Sequence, residues 1–222
     1  TVTLSTPDGY VAPPDFTDGN YTRVNIQIAE DDSAAAIEAT LAHEYVHVVQ
    51  VETNFGLTDA ELSELQENER LPPGMFSNIR EGAAEYVADV YAERYLSGVD
   101  LQAERRAAYK QARPNAWKLS RAGYYYGYCH VAARVDSPRQ LPAVYKAPPE
   151  TEEQLIHGLP PDEEPPAPLS VQAEGDWQAS GTVGELHLQV ALTENLTESR
   201  AAEAAAGWGN DTLVSRGDNH VW

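Results

Sequence analysis

The chain has 222 residues, 42% of them hydrophobic, which suffices for one sizeable core and excludes wholesale disorder. Thirty-five acidic residues face fifteen basic ones, a formal net charge of −20, which repels nucleic acid and anionic membrane surfaces and excludes both as partners. The single cysteine, Cys129, rules out an intrachain disulfide and a thiolate metal cluster, and no apolar run approaches the roughly 18 residues that span a bilayer.

Taken in chain order, residues 1–20 are rich in Pro, Gly and Asp and read as an irregular lead-in. Residues 22–28 alternate polar and apolar, predicting a half-buried strand. Asp31, Asp32 and Ser33 then offer N-caps for a helix over 34–51, with Ala35, Ile37, Leu41 and Val48 among its buried positions. A capping box from Thr58 to Glu61 opens a short acidic helix that Pro72 and Pro73 must stop. Its Glu61 and Glu64, with Glu67 and Glu69 beyond, read as a solvated face.

Ser77 or Asn78 caps a helix over 79–96, with Gly98 as its stop signal. Helices over 100–112 and 116–135 follow, ended by Pro114 and by Asp136-Ser137-Pro138. Thr151 opens one or two further turns, closed by Gly158. Residues 159–168 are a Pro-rich acidic stretch, predicted as an extended linker. Beyond it, 183–193 and 198–206 predict helices, and 211–215 pairs with 220–222 across Gly217-Asp218-Asn219. The expected fold is α+β and predominantly α-helical, with a small β element before the first helix and a short C-terminal hairpin. The expected organisation is a domain over 1–158, the linker, and a small subdomain over 169–222 packed on the first.

Within the first helix, "AHEYVHVVQ" places His43 and His47 at i and i+4, so both imidazoles share one face. With Glu44 beside the first, this is the H-E-x-x-H arrangement, in which two histidines hold Zn²⁺ and the glutamate works as general base. Chance would produce it in roughly 1–2 of 100 chains of this composition. A catalytic zinc also needs a third protein ligand and an open position. No histidine follows a few residues downstream, so the candidate is Glu81 in "REGAAEY". It falls in the expected first turn of its helix, where the dipole favours a carboxylate, and Gly82 and Ala83 are small enough for close approach to the metal helix.

"HEYVHVVQ" followed by "EGAA" resembles the gluzincin metallopeptidases. That resemblance implies a zincin-like fold, with His43, His47 and Glu81 as Zn²⁺ ligands, Glu44 as base and Glu85 where a further acid often supports the ligands. The likeness extends to uncharacterised zinc-protease-like proteins of bacteria and haloarchaea through "GYYYGY" (123–128), "APPETEEQLIHG" (147–158) and "AAAGWGND" (204–211). In the last of these, Asn210 and Thr212 stand where Gly and Arg are expected. Tyr124 is the candidate donor to a developing oxyanion, with core packing as its ordinary alternative. His157 is a weaker candidate donor, and His130, His187 and His220 read as structural or exposed.

The expected activity is hydrolysis of a peptide or protein substrate by zinc-activated water. The competing expectation is a non-catalytic cell-surface or assembly protein with a structural or vestigial zinc site. The acid excess is spread along the whole chain, as in proteins of salt-loving archaea, where molar salt screens self-repulsion within about 3 Å. Three N-glycosylation patterns, at Asn20, Asn195 and Asn210, mildly favour export. The start at Thr1 and the strand at the last residue read as a removed leader or a fragment. An extracellular or cell-surface location is therefore expected, with a cytoplasmic one as the alternative, and Cys129 is expected as a buried reduced thiol.

Overall fold

The structure is a computed structural model that describes residues 8–12, 22–66, 71–72, 74–113, 115–170 and 175–221. Glu67, Glu69, Pro73, Pro114, Asn20 and Trp222 of the expected elements lie outside them. The fold is α+β and mostly helical. No helix among the described residues is long and apolar enough to cross a membrane.

A hairpin precedes the first helix. Strand β1 (Asp8–Ala12) pairs antiparallel with β2 (Arg23–Gln27), with Gly9 opposite Ile26 and Val11 opposite Val24. The expected strand is β2; β1 lies inside the stretch read as irregular, because five residues are too few to carry a clear period. Helix α1 (Ala34–Glu52) starts on Ser33, whose hydroxyl accepts from Ala36 N at 3.1 Å. Its fully buried residues are Ala39, Glu44 and Gln50. Ala35, Ile37, Leu41 and Val48 are only partly covered, and Tyr45 and Val49 on the outer face are exposed.

Helix α2 (Asp59–Gln66) opens on the expected capping box, with Thr58 N donating to Glu61 Oε2 at 2.8 Å and Glu61 N to Thr58 Oγ1 at 3.3 Å. Glu61 also meets Lys146 Nζ at 3.0 Å, so it is a paired residue within the acidic face. Helix α3 (Met75–Tyr95) begins a turn earlier than predicted, after Gly74 in the left-handed conformation at φ 80°. Glu81 therefore sits in the second turn of α3, beyond the reach of the dipole argument, since that effect fades within the first turn.

Helices α4 (Leu101–Gln111) and α5 (Asn115–Arg134) complete the central layer. Gly82 of α3 lies against Gly127 of α5 so closely that a Cβ on Gly82 would enter the Gly127 backbone. The approach that Gly82 permits is thus between α3 and α5, and not towards α1. This crossing supports a core of Phe55, Met75, Ile79, Tyr86, Val131 and Leu155. A short helix α6 (Leu141–Lys146), not foreseen, adds Leu141, Val144 and Tyr145 to it, with Phe55 and Tyr145 ring centroids 5.1 Å apart. Cys129 is a free, partly buried thiol against this core.

Helix α7 (Glu152–His157) is capped by Thr151 and closed by Gly158 at φ 68°. The stretch after it is not a free tether. Gln154 Nε2 donates to the carbonyls of Pro161 (3.1 Å) and Glu163 (2.8 Å), pinning it to α7. Strand β3 (Gln178–Gly181), α8 (Glu185–Leu192), α9 (Glu198–Ala205), β4 (Leu213–Arg216) and β5 (Asn219–Val221) follow. The predicted C-terminal hairpin is β4–β5, and β3 adds a third antiparallel strand on β4. Leu186 and Val190 of α8 share one apolar cluster with Tyr109 of α4 and Ala122 of α5. Lys118, fully buried beneath this cluster, is paired with Glu198 at 2.8 Å.

Candidate metal centre

Helical spacing puts His43 and His47 one turn apart on the inner face of α1, and their Nε2 atoms stand 3.1 Å apart. Glu81 reaches across from α3, bringing Oε2 to 3.1 Å from His47 Nε2 and 3.4 Å from His43 Nε2. Ligand atoms about 2.0–2.1 Å from a tetrahedral ion lie about 3.3 Å from one another. The observed spacings match, so these three side chains form a group able to hold a metal ion.

The far sides of the imidazoles are anchored. His47 Nδ1 lies 2.7 Å from Gln50 Oε1, while Gln50 Nε2 donates to Arg80 O at 3.0 Å and to the Tyr145 hydroxyl at 2.8 Å. With both amide hydrogens of Gln50 committed, its oxygen must accept from His47 Nδ1–H, which leaves the lone pair on Nε2 facing the centre. Glu85 Oε1 stands 3.4 Å from His43 Nδ1. Burial opposes charge on His43, but its hydrogen bond to Glu81 and the charge of Glu85 outweigh that and raise its pKa. Burial likewise opposes charge on Glu81, yet the two imidazoles and Arg80 hold it well below the usual carboxylate range.

Glu44 differs from these three. It is 4% exposed, and its Oε2 takes no hydrogen bond. Strand β1 lies over it: a Cβ on Gly9 would stand 2.6 Å from Glu44 Cγ and Oε1, so a larger residue there would displace the Glu44 side chain. Burial raises the Glu44 pKa. A buried carboxylate with one oxygen free of hydrogen bonds, beside such a group of side chains, is available for proton transfer.

The centre opens into a cavity of about 200 Å³, lined among others by His43, Glu44, Glu85, Arg105, Arg121 and Tyr124. The Tyr124 ring stacks against His43 with centroids 6.2 Å apart. Burial, with help from Glu81 and Glu85, pushes its hydroxyl up to about 12, so it stays protonated and able to donate. The neighbouring tyrosines of the run do other work: Tyr125 stacks on Tyr109 at 5.4 Å, and Tyr126 packs into the core.

Several supporting residues escape sequence reasoning. Arg105, from α4, is buried and donates to Glu85 Oε2, and its second terminal nitrogen lies 3.6 Å from Asp89 Oδ1. Its guanidinium covers the Tyr128 ring at 3.9 Å, and Tyr128 in turn donates to Asp89 at 2.6 Å. Nothing local marks these residues; only Gln50, one turn beyond His47 on the same face, carried a readable spacing. The other histidines lie elsewhere. His130 is buried against Gln154 O, His187 meets Glu152, His220 is exposed on β5, and His157 stands beside Glu185. Comparison with family models, curated proteins and solved structures found no match.

Proposed function

We propose that the chain is a zinc-dependent metallopeptidase, with His43, His47 and Glu81 holding the ion and Glu44 acting as general base. The observation that carries this reading is the buried Glu44 carboxylate, whose Oε2 takes no hydrogen bond, next to three converging ligand atoms. A purely structural zinc site has no use for such a group, whereas a hydrolase requires it. Two imidazoles and one carboxylate form a donor set that suits zinc and leaves room for a fourth, exchangeable position. Zinc bound there supplies Lewis acidity, lowering the pKa of water to about 7 and polarising a carbonyl.

The protein residues supply the rest. Glu44 takes a proton from the attacking water and passes it to the leaving amine, so that a C–O bond forms as the C–N bond breaks. Tyr124 donates to the oxyanion that develops on the carbonyl, from the wall of the cavity that it shares with Glu44. Gln50 and Glu85 hold the imidazoles in their tautomers. The substrate is a peptide or protein chain. The acid-rich surface suits activity in concentrated salt outside the cytoplasm.

The test compares wild type with Glu44→Gln for zinc content and for cleavage of casein and a fluorogenic peptide panel in molar salt. Equal zinc with a fall in cleavage of about 10²–10⁴-fold is expected. Zinc at full occupancy in wild type with no cleavage on any substrate overturns the peptidase reading.

A further inference from the structure

A second cluster, sharing no residue with the first, lies where α7 meets α8. Glu153 and His157 stand one turn apart on α7, Glu185 opens α8, and one ligand atom from each lies within 4.8 Å of the other two. Glu185 is 1% exposed, yet its Oε2 takes no hydrogen bond. His157 Nε2 is 3.5 Å away, longer than the roughly 2.7–2.9 Å of a charge-assisted bond. Glu164, whose backbone is left-handed at φ 49°, adds its charge to those of Glu153 and Glu185. Two carboxyl groups thus converge on one imidazole with a third acidic residue nearby, a concentration of like charge that calls for a cation.

The surroundings hold this cluster in place. Gln154 pins the carbonyls of Pro161, Glu163 and Glu164 to α7. Asp211 accepts from Val183 N (2.7 Å), Gly184 N (2.9 Å) and Trp208 Nε1 (2.9 Å), setting the entry of α8 and so the position of Glu185. Glu152 accepts from His187 N at 3.0 Å and occupies the space that a Cβ on Gly184 would need. The segments "APPETEEQLIHG" and "AAAGWGND", to which the peptidase reading assigns no chemistry, therefore meet at this point.

We propose that Glu153, His157 and Glu185 form a second metal site, for a divalent first-row transition ion. An imidazole among the donors disfavours calcium and magnesium, which take oxygen ligands, and suits zinc. Glu185 provides the buried anchor, while half-exposed His157 closes the site from the solvent side, with water completing the coordination. The ion ties the segment after α7 and the start of α8 to the helical body.

The experiment is zinc stoichiometry after equilibrium dialysis in molar NaCl, which suppresses loose binding to the acidic surface, with circular dichroism as the folding control. Wild type is expected to hold two equivalents, and His157→Ala and Glu185→Gln one each. His47→Ala is expected to keep one equivalent, and His47→Ala with His157→Ala none. His157 is half exposed, so its replacement leaves folding intact even where Glu185→Gln does not. An unchanged zinc count in His157→Ala overturns the second site, whose carboxyl groups then share protons instead. A wild type with one equivalent that is lost in His157→Ala but kept in His47→Ala overturns the first site and leaves the second standing.

Discussion

The Gln50 oxygen accepts from His47 Nδ1 at 2.7 Å, and the same carboxamide donates to Tyr145 of α6 at 2.8 Å. One buried side chain thereby links a metal-centre imidazole to the apolar core. Gln50→Leu removes the acceptor and leaves the tautomer of His47 unset. Zinc affinity, measured by competition with a chelator, is expected to fall about 10–100-fold, with Gln50→Glu recovering most of it. Unchanged affinity in Gln50→Leu refutes the orienting role.

Arg105 stands between Glu85 and Asp89, and all three are largely buried. Arg105→Leu leaves two carboxylates facing each other without a counter-charge. A loss of about 3–5 kcal/mol is expected in urea unfolding at fixed salt. Removing Glu85 and Asp89 in the same chain, as Gln and Asn, is expected to restore much of that loss. If the triple variant is no more stable than the single one, charge is not what holds this cluster.

The α3–α5 crossing distinguishes two glycines of one helix. A Cβ on Gly127 meets the Asn78 carbonyl, which is fixed in helix, so Gly127→Ala is expected to cost about 3 kcal/mol or more. A Cβ on Gly123 meets Asn78 Oδ1 at 2.5 Å, a side-chain atom free to turn away, and alanine gains about 1 kcal/mol of helix propensity. Gly123→Ala is therefore expected near neutral in thermal melts. Equal costs at both positions contradict the close approach. Because Glu81 adjoins Gly82, Gly127→Ala is also expected to weaken metal binding.

His130 is buried, and burial carries its pKa from the ordinary 6.5 down to about 4. The folded state thus prefers the neutral ring, and between these values the unfolded chain binds more protons. The contribution is fully present above pH 6.5, declines as the pH falls, and is gone below about 4, a span of about 3 kcal/mol. The stability difference between wild type and His130→Gln, from urea titrations across this range, is expected to shrink towards acid. A difference that grows towards acid reverses the assignment.

The sequence by itself determined whatever depends on neighbours within a turn or two. Helical period alone puts His43 and His47 on one face with Glu44 beside them, and Ser33, the Thr58–Glu61 box, Thr151 and Gly158 start or stop helices where such residues locally must. The overall α+β, mostly helical character was readable on the same ground. Tertiary structure alone decided what meets across chain distance. The early start of α3 set the turn that carries Glu81, and glycine-to-glycine contact drew α3 against α5. β1 came to cover Glu44, Arg105 to neutralise Glu85, and α8 to present Glu185 to His157. The reason is physical: hydrogen-bonded turns and caps are satisfied locally and leave a pattern, whereas burial of a charge depends on side chains far along the chain that carry no mark of their partner.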